Sequence, residues 1–246
     1  MKPIEQARRA IREGDVDQLV ILVKEKPNVV KESSENNLCP LLHTLANYPG
    51  NRPQSLEIAK LLIDAGAEVN ARFLSSKTDG HSETALHWAA SNDDVDLAEF
   101  LLDRGADIDS DGGCVANGTP VWLSVIFKCV NVARLLIERG AMSNLMVVAG
   151  AGRLDLVDRY FDEAGKVVED AGALSCWDKP RSTEEALNSA FGLACRNGHV
   201  TIAKRLLSRG ADPTWLNQVG ETAFQQAEQG RQKIVVDWMK ERGIVE

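Results

Sequence analysis

The chain has 246 residues, 44% of them hydrophobic, and carries 36 acidic against 28 basic side chains for a formal net charge of −8. That balance disfavours nucleic acid as the main ligand, because phosphate recognition draws on surplus Lys and Arg, and no stretch approaches the ~20 apolar residues a bilayer span needs. Residues 1–17 are charged and helix-like without an apolar signal core, which points to the cytoplasm, and five cysteines (Cys39, Cys114, Cys129, Cys176, Cys195) without a Cys-x-x-Cys pair argue against a disulfide framework or zinc finger.

Taken in chain order, Ile4–Arg12 and Val16–Lys24 predict a first helix pair around Gly14-Asp15, charged outside as a terminal cap must be. A second pair covers Leu41–Ala46 and Leu56–Asp64; two prolines and a glycine in 47–55 exclude helix between them. The third, about Asp79 to Asp109, starts at Thr84, a hydroxyl able to cap free N–H groups. Its Leu97, Phe100 and Leu101 make an apolar stripe, and Gly105 ends it in the left-handed conformation. The fourth opens at Thr119-Pro120, with proline where a missing N–H costs nothing, and runs to Ala141. A fifth runs from Asn144 to Tyr160-Phe161 without a closing Gly-Ala. Residues 166–185 then break the pattern with Trp177, Pro180 and Arg181, before Ser182-x-x-Glu185 restarts a helix in the manner of a capping box. The sixth unit covers Ala186 to Ala211. The seventh, Gly220 to Gly243, carries Gln225, Gln226, Glu228 and Gln229 as a polar C-terminal cap.

Four Gly-Ala pairs mark the beat: Gly66-Ala67, Gly105-Ala106, Gly140-Ala141 and Gly210-Ala211, at intervals of 39, 35 and 70, with Gly243 33 residues later. A period near 34 means one supersecondary unit stacked repeatedly. The expected fold is an all-α solenoid of about seven helix-turn-helix units joined by β-hairpin-like loops, in one domain over 1–246. Its units are 4–35 (N-cap), 36–73, 79–113, 117–143, 144–165, an insertion at 166–185, 186–213 and 217–246 (C-cap).

Within the units, Leu41-Leu42-His43, Thr84-Ala85-Leu86-His87, Thr119-Pro120-Val121, Asn197-Gly198-His199 and Gly220-Glu221-Thr222-Ala223-Phe224 recur at corresponding places. This pattern closely resembles the ankyrin repeat over nearly the whole chain. The unit Ala190-Phe191-Gly192-Leu193-Ala194-Cys195-Arg196-Asn197-Gly198 is also similar to one found in a group of bacterial ankyrin proteins. The resemblance implies a protein-binding concave face built from hairpin tips and first helices, with His43 and His87 bonding neighbouring backbone. Two positions after each small-residue pair face that groove in the family: Arg12 and Glu13, Asn47 and Tyr48, Ser91 and Asn92, Ile126 and Phe127, Gly150 and Ala151, Arg196 and Asn197. Most are polar; Ile126 and Phe127 are not, and this pair, with Tyr48 two units away, fits a hot spot of aromatic anchors in a polar rim. The candidate partner-binding residues are Tyr48, Phe73, His81, Asn92, Ile126, Phe127, Trp177, Arg196 and Trp215. Lys128-Cys129 stands where Gly-His is usual.

Other chemistry is poorly supported. Residues 93–111 hold eight acids against Arg104 alone, and Asp96, Glu99 and Asp103 follow helical spacing, as a solvated outer face or a basic partner's docking patch would. Asp107, Asp109 and Asp111 before Gly112 imitate half a calcium loop, but Gly118 occupies the twelfth position where a bidentate acid belongs. Neither histidines nor carboxylates gather at catalytic spacing, so no enzyme activity, cofactor or metal is expected. The function expected is a non-enzymatic adaptor or scaffold that binds another protein, not nucleic acid or membrane. The alternatives are a dedicated inhibitor or immunity protein neutralising one partner, and a calcium-responsive regulator using the 107–112 loop.

Overall fold

A computed structural model describes residues 1–31, 39–74, 81–168 and 182–245. The expected site residue Trp177 and most of the 166–185 insertion lie outside the described residues. Two compact units divide the chain, Met1–Leu135 and Leu136–Glu246.

The first unit is built from short helix pairs. Pro3–Glu13 (α1) ends at Gly14, whose φ of 70° is the left-handed conformation that glycine adopts without Cβ strain. Val16–Glu25 (α2) follows at once, capped by the Asp15 carboxylate, which accepts the Gln18 N–H at 2.9 Å. The same plan gives Leu41–Ala46 (α3) with Ser55–Asp64 (α4), then Ala85–Ser91 (α5) with Val95–Asp103 (α6), then Pro120–Ile126 (α7) with Val130–Glu138 (α8), which crosses the boundary between the units. First helices stack on first helices (α1 on α3, α3 on α5, α5 on α7) and second on second (α2 on α4, α4 on α6).

The second unit continues with Leu145–Gly150 (α9) and Leu154–Val157 (α10), then Thr183–Arg196 (α11) with Val200–Ser208 (α12), and Ala223–Gln229 (α13) with Lys233–Lys240 (α14). Here α9 packs on α11 and α11 on α13, while α12 packs against α10 and α14. Ser182 caps α11 as its sequence promised, accepting the Glu185 N–H at 3.0 Å.

The second helices reuse one apolar triplet. Ile58/Ala59/Leu62, Leu97/Ala98/Leu101, Val132/Ala133/Leu136 and Ile202/Ala203/Leu206 are all buried. Spacing i, i+1, i+4 puts the three on one face, and the alanine lets the neighbouring helix come close. Each fully buried Leu contributes roughly 1.5–3 kcal/mol, so the array is held by repetition of one modest contact.

Two departures from the expected plan appear. The fifth unit, expected to run to Tyr160-Phe161, has a second helix that stops at Val157 and passes through a 3-10 turn, Asp158–Tyr160. Tyr160 is drawn off the helical path by its hydroxyl, which donates to Ser143 O at 3.2 Å, and Phe161 is extended and bridges Val167. The shortened helix leaves an open cleft of 520 Å³ lined by Ile137, Glu138, Arg153, Leu156 and Tyr160 among others. The hairpin-like loops form a strand pair in one place among the described residues, where Phe73–Leu74 (β1) pairs antiparallel with Ser82–Glu83 (β2), Phe73 opposite Glu83.

Candidate partner-binding site

The first-to-second-helix joints of the first unit are tied into a row. A Cβ on Gly14 would lie 3.0 Å from that of Pro53, and one on Gly50 would lie 2.9 Å from that of Asn92, so these joints touch. The Asn51 N–H donates to the buried Asp94 carboxylate at 2.7 Å. Asp93 in turn accepts the Val132 N–H at 2.9 Å and the Asn131 amide at 2.6 Å. The eight-residue connection 47–54 is therefore braced on both sides. Arg52 braces it from within, donating to the carbonyls of Leu45, Asn47 and Tyr48 at 3.0–3.2 Å. On this frame Tyr48 stands 79% exposed, beside a cis peptide to Pro49.

At the fourth joint Lys128 takes φ 62°, the conformation Gly198 takes (φ 88°) at the equivalent place, so the Lys128-Cys129 replacement leaves the joint's geometry unchanged. Phe127, just before it, is 44% exposed, and Ile126 is half-buried. Asn92 sits between Tyr48 and Phe127 in the row but turns inward: its amide donates to Ala46 O and Trp88 O, both at 2.9 Å. Its counterpart Asn197 does the same with Gly150 O, at 2.9 Å, so this position stitches successive repeats together. Asn92 is thus part of the frame, while Tyr48 and Phe127 project from it.

On the loop side, Phe73 is half-buried in a trio of mutually edge-on rings with His43 and Trp88, centroids 5.1–6.1 Å apart. Beneath them the buried Glu83 carboxylate accepts the Trp88 Nε1–H at 2.8 Å and the Cys114 N–H at 3.0 Å. Sequence reasoning missed Trp88 and Glu83; the available signal was a tryptophan in the variable slot of Leu-His-x-Ala-Ala. His81 is half-buried near this trio's strand pair. In the second unit Arg196 and Trp215 are half-buried, and Leu216 and Val219 beside Trp215 are exposed. Among the described residues, nothing gathers these with one another.

His43 and His87 lie where the repeat pattern implied, and His199 also meets a backbone carbonyl. His43 Nε2 meets Glu83 O at 2.9 Å, His87 Nε2 meets Gly118 O at 3.2 Å, and His199 Nε2 meets Gly150 O at 3.0 Å. Burial holds His43 and His87 neutral, each lowered to about 4. Burial pushes the thiols the other way: Cys195 to about 12, Cys129 to about 11, and Cys114, with Glu83 adding to the effect, to about 12. Two of the three acids of the calcium-like loop are turned to other work. Asp107 accepts the Asp109 N–H at 3.2 Å, and Asp111 is paired with the Arg72 guanidinium at 2.9 Å. Among the described residues no three His, Cys, Asp or Glu side chains converge on one point.

A family model for ankyrin repeats, in three copies, matches residues 54–146, and a model for a single ankyrin repeat matches residues 187–215. The chain carries ankyrin repeats. Its paired helices, stacked column on column, are those of the ankyrin array, and such repeats serve protein–protein interaction. Among curated proteins it is similar to the human palmitoyltransferase ZDHHC13, 25% identical over 215 residues, covering 75% of this chain and 33% of that protein. A putative palmitoyltransferase ZDHHC13 of Danio rerio is 24% identical over 218 residues, covering 74% and 32%. The palmitoyltransferase akr1 of Schizosaccharomyces pombe is 39% identical over 56 residues, covering 23% and 8%. The chain spans about a third of the length of the first two. All three relatives are eukaryotic, and the bacterial grouping expected from residues 190–198 gains no support from them. No helix among the described residues is long and apolar enough to cross a membrane.

Proposed function

We propose that this ankyrin chain is a non-enzymatic, cytoplasmic adaptor that grips another protein along the joint row of its first unit. The observation carrying this reading is the pair Tyr48 and Phe127, aromatic side chains left exposed on backbone that hydrogen bonds between repeats hold fixed. Stiff aromatic anchors lose little conformational freedom on binding, and Arg12, Glu13 and Ser91, at the corresponding positions of neighbouring repeats, supply polar groups for a rim. Phe73 and His81 extend the surface on the loop side.

The relatives are named as palmitoyltransferases, but the match lies within about a third of their length, so that activity is not assigned to these residues. Two of the described thiols favour that view: burial pushes Cys129 and Cys195 well above the usual thiol range, and a thiol rather than a thiolate is a poor nucleophile. The test is the double variant Tyr48→Ser/Phe127→Ser. Its binding to a protein captured by the unaltered chain should weaken by roughly 2 kcal/mol or more, about thirtyfold, with the thermal melt unchanged. Undiminished binding would move the site elsewhere.

A further inference from the structure

His43 and His87 are the two histidines whose rings tie a first helix to the loop that follows the next connection, and both belong to the first unit. The His87 ring is the more constrained. Its Nδ1 accepts from the Thr84 N–H at 3.1 Å and from the Thr84 hydroxyl at 2.9 Å, while its Nε2–H donates to Gly118 O at 3.2 Å. A proton on Nδ1 would set donor against donor and open the cap of α5. His43 donates Nε2–H to Glu83 O at 2.9 Å and is enclosed by Phe73 and Trp88, so a charge there has almost no water around it.

The groups facing these rings pull in both directions. Glu83, from β2, favours a charged imidazole at both. His87 opposes charge on His43, and Arg72, preceding β1, opposes it on His87; the Ser110 and Gly118 backbones support charge on His87. Burial is the largest influence on each. Corresponding slots in later repeats hold Trp122, Val147, Gly192 and Gln225, none titratable. Gln225 makes the same cap without a proton to gain: the Thr222 N–H donates to its Oε1 at 2.9 Å, and its own N–H donates to Thr222 Oγ1 at 3.3 Å. In the second unit His199 is half-exposed at the N-cap of α12 and uses Nε2 as a donor, a role protonation preserves.

We propose that the first unit contains an acid-release device, in which protonation of His87 and His43 detaches their loops from α5 and α3 and loosens the joint row, leaving the second unit stacked. The device is independent of which partner the row binds.

Two readings on the intact chain test it. Imidazole nitrogen NMR should show both rings as neutral Nε2–H tautomers at pH 7.5. Below about pH 6, amide exchange protection at residues 82–90 and 118–123 should fall at least tenfold, corrected for intrinsic exchange, while residues 190–206 hold. The variant His43→Gln/His87→Gln, which copies the Gln225 cap, should lose this acid response. Titration of either ring near pH 6.5 with protection intact would overturn the proposal. So would an equal loss of protection in both units, or an unaltered acid response in the glutamine variant. Should the double variant not fold, His87→Gln alone and the wild-type titration still decide the matter.

Discussion

Ala116 shows how much a single residue tolerates for the sake of a turn. It and Asn117 both adopt positive φ, 54° and 56°, and the Gly118 N–H closes the turn on Val115 O at 3.0 Å. Such a two-residue turn is favourable for Asn and Gly, whereas an alanine Cβ in the left-handed region costs about 1–2 kcal/mol. Part of that is offset by the chain entropy that glycine adds to the unfolded state. Ala116→Gly should therefore stabilise the protein by about 0.5–1 kcal/mol, read as a rise in the urea midpoint. At this scale the sequence was partly legible. The histidine slots were readable because one side chain suits one bond. Asn92 was misplaced among recognition residues because a polar letter in a variable slot looks the same whether its amide meets water or Ala46 O. Trp88 was overlooked for the opposite reason: its bond to Glu83 joins residues of a strand and a helix, and no spacing rule announces it.

Helices were the most legible level, since a period of 34 recurs often enough to average out local noise. The exception is α10, whose apolar letters Leu154, Leu156 and Val157 promise a longer helix than forms. What cut it short is tertiary: Tyr160 reaching Ser143, and Asp158 held by Arg205 and Arg209 at 2.7–3.1 Å. This difference between repeats has an energetic consequence. Leu206, fully buried between α12 and its neighbours, should cost about 2–5 kcal/mol on replacement by alanine. Leu156, half-buried at the cleft, should cost about 1 kcal/mol or less. Chemical denaturation of Leu206→Ala and Leu156→Ala side by side checks this.

For the whole molecule, pH is the variable that couples most residues at once. His43 and His87 are held near 4 in the folded chain against 6.5 when exposed. The unfolded chain therefore binds protons first. Their contribution to stability is complete above pH 6.5 and drains as pH falls toward 4, by about 2 kcal/mol per ring at pH 5. Urea unfolding at pH 7.5 and pH 5 should show a clear drop in midpoint, smaller in the glutamine variant. The array itself was announced by the Gly-Ala beat; the row of exposed aromatics was only half visible, because exposure is decided by neighbours 35 to 45 residues away.

The braced connection at 47–54 also bears on ancestry. Solenoids grow by copying whole modules, which works when each module meets its neighbours through interchangeable surfaces. Here Pro53 fits against Gly14 of the preceding module and Asn51 feeds Asp94 of the following one. Excising or duplicating the second module would leave one of those partners mismatched. Recombination could lengthen this array elsewhere, but the second module is locked in its place in the order.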